Sequence, residues 1–471
     1  MNTPVVDFVR RYAQQRTTRM HMPGHKGRGP LGCEELDITE IAGADELYEA
    51  EGIIAQSEAN ATQLFGTART YYSTEGSSQC IRAMLHLALQ MRPAKADRPV
   101  LLAARNAHKA LLYAAALLDF DIQWLWPAPD AAGALCTCPV EPEALSSALD
   151  ELATEGRTPF GVYLTSPDYL GFVQDVAGLS AVCHAHGLPL LVDNAHGAYL
   201  HFLKEGGRHP IQLGADLCCD SAHKTLPVLT GGAYLHLGTS VQADEATVRN
   251  ALALFGSTSP SYLILQSLDA ANAVLADGFR EKLDICRWRL GMLCRELDAL
   301  RPGLALPLTG AHREPLKLTL DAAALGLSGQ QLAQALRERG VECEYADPRY
   351  VVLMPSAESS AAEFACLQTA LHAICDEAPS ADVSVTADDP AAFAALAGAL
   401  EAQPRRFTIR EAVLAPQEMI PAAEAVGRIC AAPAVSCPPA IPIVVSGETV
   451  PPEALPLFAR YGIEKAAVVK E

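Results

Sequence analysis

LeuProLeuLeuValAsp (188–193) leads directly into AsnAlaHisGly (194–197), and AlaAspLeuCysCysAspSerAlaHisLys (215–224) follows after a short passage. Each stretch opens as an apolar run that reads as a buried strand, and each ends in side chains capable of chemistry. Asp193 and Lys224 are 224 − 193 = 31 residues apart, about one excursion from one strand to the next. Both are therefore expected at the same edge of a sheet, beyond the carboxyl ends of neighbouring or nearby strands, where parallel α/β sheets gather their functional groups.

Outward from that pair, the region from about 68 to 240 keeps the same alternation. Apolar runs at 70–73, 100–103, 161–165, 188–193, 215–220 and 233–237 are separated by helical stretches around 111–118 and 179–186. Near-continuous apolar strands interleaved with helices predict an α/β fold with a mainly parallel sheet flanked by helices on both faces. Residues 261–300 read as one long helix. Strands at 316–320, 341–346 and 350–355, with a helix near 328–339, suggest a smaller C-terminal α/β region. Residues 378–404 are alanine-rich, and 421–452 read as a proline-rich loop. The expected organisation is an arm (1–60), a large domain (61–300), a small α/β domain (301–377) and a C-terminal domain (378–471).

Of the 471 residues, 50% are hydrophobic and 19% charged, which supports a sizeable core and excludes global disorder. No apolar run approaches the ~18–20 residues that span a bilayer, and the first residues carry arginines without an apolar core, so neither a membrane span nor a secretory leader is expected. A formal charge of −19 disfavours nucleic acid and is compatible with a cationic small substrate, as it is with the many soluble proteins that are equally acidic. The 14 cysteines are single apart from Cys136/Cys138 and Cys218/Cys219, which points to reduced thiols and a cytoplasmic location rather than zinc or disulfides. The histidines form no HExxH-like cluster, and no metal is expected.

A lysine and an aspartate placed this way suit pyridoxal 5'-phosphate. The Lys224 amine can condense with the cofactor aldehyde, and the Asp193 carboxylate can keep the pyridine nitrogen protonated, so that the ring accepts electrons. Taken singly, Asp193 could cap a turn and Lys224 could be a surface lysine; the pair, with SerAlaHisLys ahead of ThrLeuPro, favours chemistry. GluGlySerSer (75–78) lies between a strand and an apolar helix, where Ser77, Ser78 and the helix N-terminus can take a phosphate or simply cap. His108, in ArgAsnAlaHisLys (105–109), could stack on the ring or be a polar residue at a helix start. GlySerThrSerProSer (256–261) could cap the next helix or reach a phosphate across a dimer interface.

These motifs, with HisMetProGlyHisLysGly (21–27), the acidic segment 37–52, ThrSerProAspTyr with GlyPheVal (165–173), and AlaValGlyArgIle (425–429) with CysProProAlaIlePro (437–442) and SerGlyGlu (446–448), resemble the bacterial ornithine/lysine/arginine decarboxylases over nearly the whole chain. The resemblance implies a fold-type-I enzyme dependent on pyridoxal phosphate, in a short form lacking the N-terminal wing domain. It implies that Lys224 carries the cofactor, Asp193 pairs with the ring nitrogen and His108 stacks on the ring. Ser77, Ser78, Ser221 and His223 would bind phosphate or steady the lysine, His196 would lie near the phenolate side, and Ser257 and Thr258 would come from the partner in a homodimer or larger homo-oligomer with shared active sites. Lys224 or His223 would return a proton to Cα after loss of CO2. The expected activity is α-decarboxylation of lysine, ornithine or arginine to a polyamine-pathway amine.

Two departures concern the substrate. The family usually has Glu where this chain has Asn194, and Tyr where it has Cys437. Acids at 37–47 and Glu448 are candidates for a distal cationic group, though such acids are more often plain solvated charges or helix-cap partners. The same lysine and aspartate would also serve an aminotransferase or carbon–sulfur lyase, and a catalytically silent regulator would retain the fold without turnover.

Overall fold

Short apolar runs punctuated by helices become strands β1 (Arg69–Ser73), β2 (Val100–Ala104), β3 (Asp121–Leu125), β4 (Val162–Thr165), β5 (Leu190–Asp193), β6 (Leu217–Asp220) and β7 (Ala233–Leu237). In β2, β5, β6 and β7 every residue is buried, as expected of strands covered on both faces. The computed structural model describes residues 1–92, 97–128, 135–204, 206–378, 390–403, 406–433 and 441–470.

Two units divide the chain. The first is Met1–Lys95 with Val176–Asp284, the second Ala96–Asp175 with Ile285–Glu471. In the first, the strand order is β1-β7-β6-β5. β5 and β6 run parallel, with Asp193 opposite Cys219, and β7 runs antiparallel to both β6 and β1. In the second, the order is β4-β2-β3 with parallel pairing throughout. The expectation of a mainly parallel α/β fold is borne out, with β7 as a reversed strand that apolar patterning could not distinguish.

The second unit also holds two three-stranded antiparallel sheets. One is β8 (Leu318–Asp321), β9 (Tyr345–Ala346) and β10 (Tyr350–Leu353), in the order β8-β10-β9, packed through Leu318, Leu320 and Val351 on Leu332, Leu336, Leu371 and Ile374. The other is β11 (Gln417–Pro421), β12 (Cys430–Ala432) and β13 (Lys465–Val469), in the order β11-β13-β12. Part of the stretch read as a loop at 421–452 is thus β structure, and of 341–346 only Tyr345–Ala346 is strand. The long helix expected at 261–300 is two helices, Tyr262–Ala276 and Phe279–Leu300. Gly278 lies between them at φ +79°, outside helical geometry.

Candidate active site

Because β5 and β6 are parallel neighbours, the loops that follow Asp193 and Asp220 leave the sheet at the same end. Asp193 is 3% exposed; its Oδ1 accepts the Ala195 N–H at 3.1 Å, closing a tight turn. That turn presents His196, whose Nε2 lies 2.9 Å from Lys224 Nζ. Lys224 itself sits in a single helical turn, Ala222–Thr225, begun by Ser221. The imidazole thus holds the lysine amine at the rim of the sheet.

The second element of the site is the start of the helix Ser77–Met91. Gly76 precedes it at φ +72°, a conformation that strains any residue with a Cβ, and its N–H donates to Gly231 O at 2.7 Å. The first N–H groups of a helix have no carbonyl partner within it, so Ser77 and Ser78 offer hydroxyls beside an electropositive terminus. Ser221 Oγ lies 2.7 Å from Ser77 Oγ, which brings the hydroxyl at the head of the lysine turn to that same terminus. Glu75 Oε1 accepts the Ser257 N–H at 2.6 Å, so the exposed turn carrying Ser257 and Thr258 reaches the 75–78 turn within one chain. His223 binds Gly232 O through its backbone N–H (3.2 Å) and Nδ1 (3.1 Å).

The structure therefore gathers Asp193, His196, Ser221, His223 and Lys224, with Ser77, Ser78 and Ser257, on the first unit. His108 belongs to the second. It is the N-cap of the helix Lys109–Leu118, its Nδ1 accepting the Ala110 N–H at 3.1 Å. Cys437 lies outside the described residues. Asp45, in the acidic segment, accepts N–H groups of Glu51, Gly52 and Ile54, and Asp37 pairs with His25 at 3.1 Å, so both serve the local chain.

Glu448 has a partner that spacing could not reveal. In the second unit both its oxygens bind Arg105, each at 3.0 Å, with both side chains 8% exposed. The guanidinium also lies over the rings of Trp124 and Trp126, 4.8 and 4.7 Å from their centroids. Glu448 is thus the anchor of Arg105, a bidentate buried pair of the kind that guanidinium geometry favours.

The ThrSerProAspTyr motif lies on the second unit, over a buried charged cluster. Asp168 Oδ1 accepts the Leu170 and Phe172 N–H groups, and Lys317 Nζ donates to Asp168 O at 2.8 Å. Burial pushes the neighbouring Glu314 carboxyl from 4.5 up to about 7, against the pull of Lys317. A carboxyl that holds its proton more tightly when folded loses stability for the fold as pH rises from its unfolded value through about 7. The loss attributable to Glu314 is about 3 kcal/mol. Glu314→Gln is expected to flatten that decline, measured as unfolding free energy at pH 5 and pH 8; an unchanged slope would assign the titration to another group.

Among the described residues, the ligand atoms of His209, Cys218 and Asp220 lie within 4.8 Å of one another. Burial and the nearby Asp220 charge raise the Cys218 thiol well above its ordinary range, so it stays protonated, and both partners of His209 are hydrogen-bonding groups. This cluster was not anticipated. Its sequence signal is slight: one acid closing the apolar run LeuCysCysAsp.

Comparison with known proteins places this framework among fold-type-I enzymes. Lysine decarboxylase LdcF of Francisella novicida superposes with a TM-score of 0.79, over 99% of this chain and 81% of its own, at 17% identity. The Orn/Lys/Arg decarboxylase major domain matches residues 3–286, and the chain belongs to that family: it is an amino-acid decarboxylase. An arginine decarboxylase of Bacillus subtilis (strain 168) is 27% identical, over 96% of this chain and 92% of its own. The uncharacterised protein YaaO of the same organism is 28% identical, over 98% and 94%. Among the described residues, no helix is long and apolar enough to cross a membrane.

Proposed function

We propose that this chain decarboxylates a basic amino acid (lysine, ornithine or arginine), with pyridoxal 5'-phosphate as its cofactor. The observation that carries the reading is the Lys224 amine held 2.9 Å from His196, with Asp193 at the end of the parallel strand beside its own. The donor set fits the cofactor: three serine hydroxyls and a helix N-terminus for a phosphate, a primary amine for an aldehyde, and a buried carboxylate for a ring nitrogen.

When bound, the cofactor supplies a protonated ring that accepts the electrons released as CO2 departs. Asp193 holds the proton on the ring nitrogen, and its burial strengthens that interaction. Ser77, Ser78 and Ser221 orient the phosphate. His196 steadies the Lys224 amine, and Lys224 or His223, whose Nδ1 lies 3.1 Å from Gly232 O, would return a proton to Cα. The stacking role of His108 rests on the resemblance alone. A homodimer with shared sites, in the cytoplasm, belongs to the same proposal.

Arginine, lysine and ornithine, each incubated separately with reconstituted protein, are expected to yield CO2 and one amine (agmatine, cadaverine or putrescine) from at least one of them. Consumption of a different amino acid with release of an oxo acid would replace the reading with transamination.

A further inference from the structure

Asp220 closes β6, is fully buried, and carries a carboxylate that the reaction just described does not use. Its Oδ2 lies 3.1 Å from Nε2 of His209 and 3.1 Å from Nε2 of His236, and its Oδ1 accepts the Asn194 side-chain N–H at 2.6 Å. The tautomers follow from the other ring nitrogens. His209 Nδ1 accepts the Ile211 N–H at 3.4 Å, and His236 Nδ1 meets the Thr70 hydroxyl at 2.8 Å, itself 2.7 Å from Thr67 Oγ1. Each Nε2 faces an ionised carboxylate, which only accepts, so each carries a proton. Burial alone would raise Asp220, but the two imidazoles outweigh it and hold the carboxyl below its usual range. Phe65 and Tyr234 pack against His236 at 4.7 and 5.5 Å between ring centroids, which lowers the local dielectric and strengthens each of these bonds.

A buried charge costs several kcal/mol to desolvate, and this one is compensated by Asn194, His209 and His236 from three separate segments and by the Cys218 thiol of its own strand, 3.7 Å from Oδ1. What it fixes is Asn194. The backbone N–H of Asn194 donates to Cys219 O at 2.9 Å while its side chain is held by Asp220, so both are pinned to β6. Asn194 lies directly after Asp193 and two residues before His196. Its O accepts the Gly197 N–H at 2.8 Å, closing the turn that presents His196 to Lys224. A carboxylate at 194 would face a second carboxylate at hydrogen-bond distance, which gives a physical reason for the amide here.

We propose that Asp220, with His209 and His236 behind it, is a positioning residue that acts through Asn194 to fix Asp193 and His196 relative to Lys224. The proposal rests on the functional reading above, because it assigns the network to that site.

The test exchanges the pair. Asp220→Asn removes the charge, Asn194→Asp sets two carboxylates together, and the double variant restores one acid and one amide with the positions swapped. Each variant is reconstituted with pyridoxal phosphate. Thermal unfolding, the visible band of the lysine-linked cofactor, and kcat and KM for the accepted amino acid are then measured. We expect each single variant to keep the cofactor but shift its band and lose kcat by about 10-fold or more, with KM little changed, and the double variant to recover to within about threefold. A folded Asp220→Asn enzyme with wild-type spectrum and kcat overturns the proposal, as does a folded double variant that recovers neither. Should a single variant fail to fold, the double variant decides alone. A wild-type chain that forms no lysine-linked band would instead refute the functional reading.

Discussion

Replacing Lys224 with alanine is expected to abolish the visible band of the lysine-linked cofactor and to lower kcat by about 10⁴-fold or more. The magnitude follows from the double duty proposed for one amine: it would be the covalent tether and a group able to return a proton to Cα. Its helical turn is short and begins at a serine whose hydroxyl already contacts Ser77, so a shortened side chain leaves the surrounding backbone with its own hydrogen bonds. Thermal unfolding of the variant without cofactor should stay near that of the unloaded parent chain. Borohydride reduction of the parent followed by peptide mass spectrometry should find the adduct on Lys224. A band that survives the substitution would move the tether to another lysine and take the proposed chemistry with it.

Asp193→Asn is the second large effect. The amide keeps the shape and can still accept the Ala195 N–H, so the turn should survive. The negative charge is lost at a position 3% exposed, where the interaction proposed for it with a protonated ring nitrogen would be little screened by water. We expect kcat to fall by about 10²–10³-fold, equivalent to about 3–4 kcal/mol of transition-state stabilisation, while cofactor content per chain changes little. Absorbance titration of the cofactor and steady-state kinetics measure the two separately. Equal loss of both would make the carboxylate chiefly a structural anchor.

Asp193 and Lys224 were legible because parallel strands end in loops at one edge, and an acid and a lysine about one strand excursion apart are a sparse signal against apolar runs. Ser77 and Ser221 could be named, but their 2.7 Å contact needed the order of β1, β7 and β6, which hydrophobicity does not encode. The Arg105–Glu448 pair joins residues 343 apart and has no local signature. Asp220 was hidden for a related reason: His209 comes from a loop, His236 from the reversed strand and Asn194 from the neighbouring strand end, so no spacing rule unites them. The break at Gly278 was missed because one glycine in an amphipathic stretch is compatible with a continuous helix, and only a positive φ marks it as the end.

The reversal of β7 has a further consequence. Since this strand runs against its neighbour, it contributes its beginning, rather than its finish, to the rim where Lys224 stands, and the glycines just ahead of it, Gly231 and Gly232, receive Gly76 and His223. The lysine is thereby bracketed inside one brief out-and-back passage whose two ends are both clamped by a sheet. Lengthening that passage by even a few residues would uncouple the amine from the helix start at Ser77 in a single event. Homologues of this chain should therefore tolerate insertions almost anywhere along their outer loops before they tolerate one between Ser221 and Gly232.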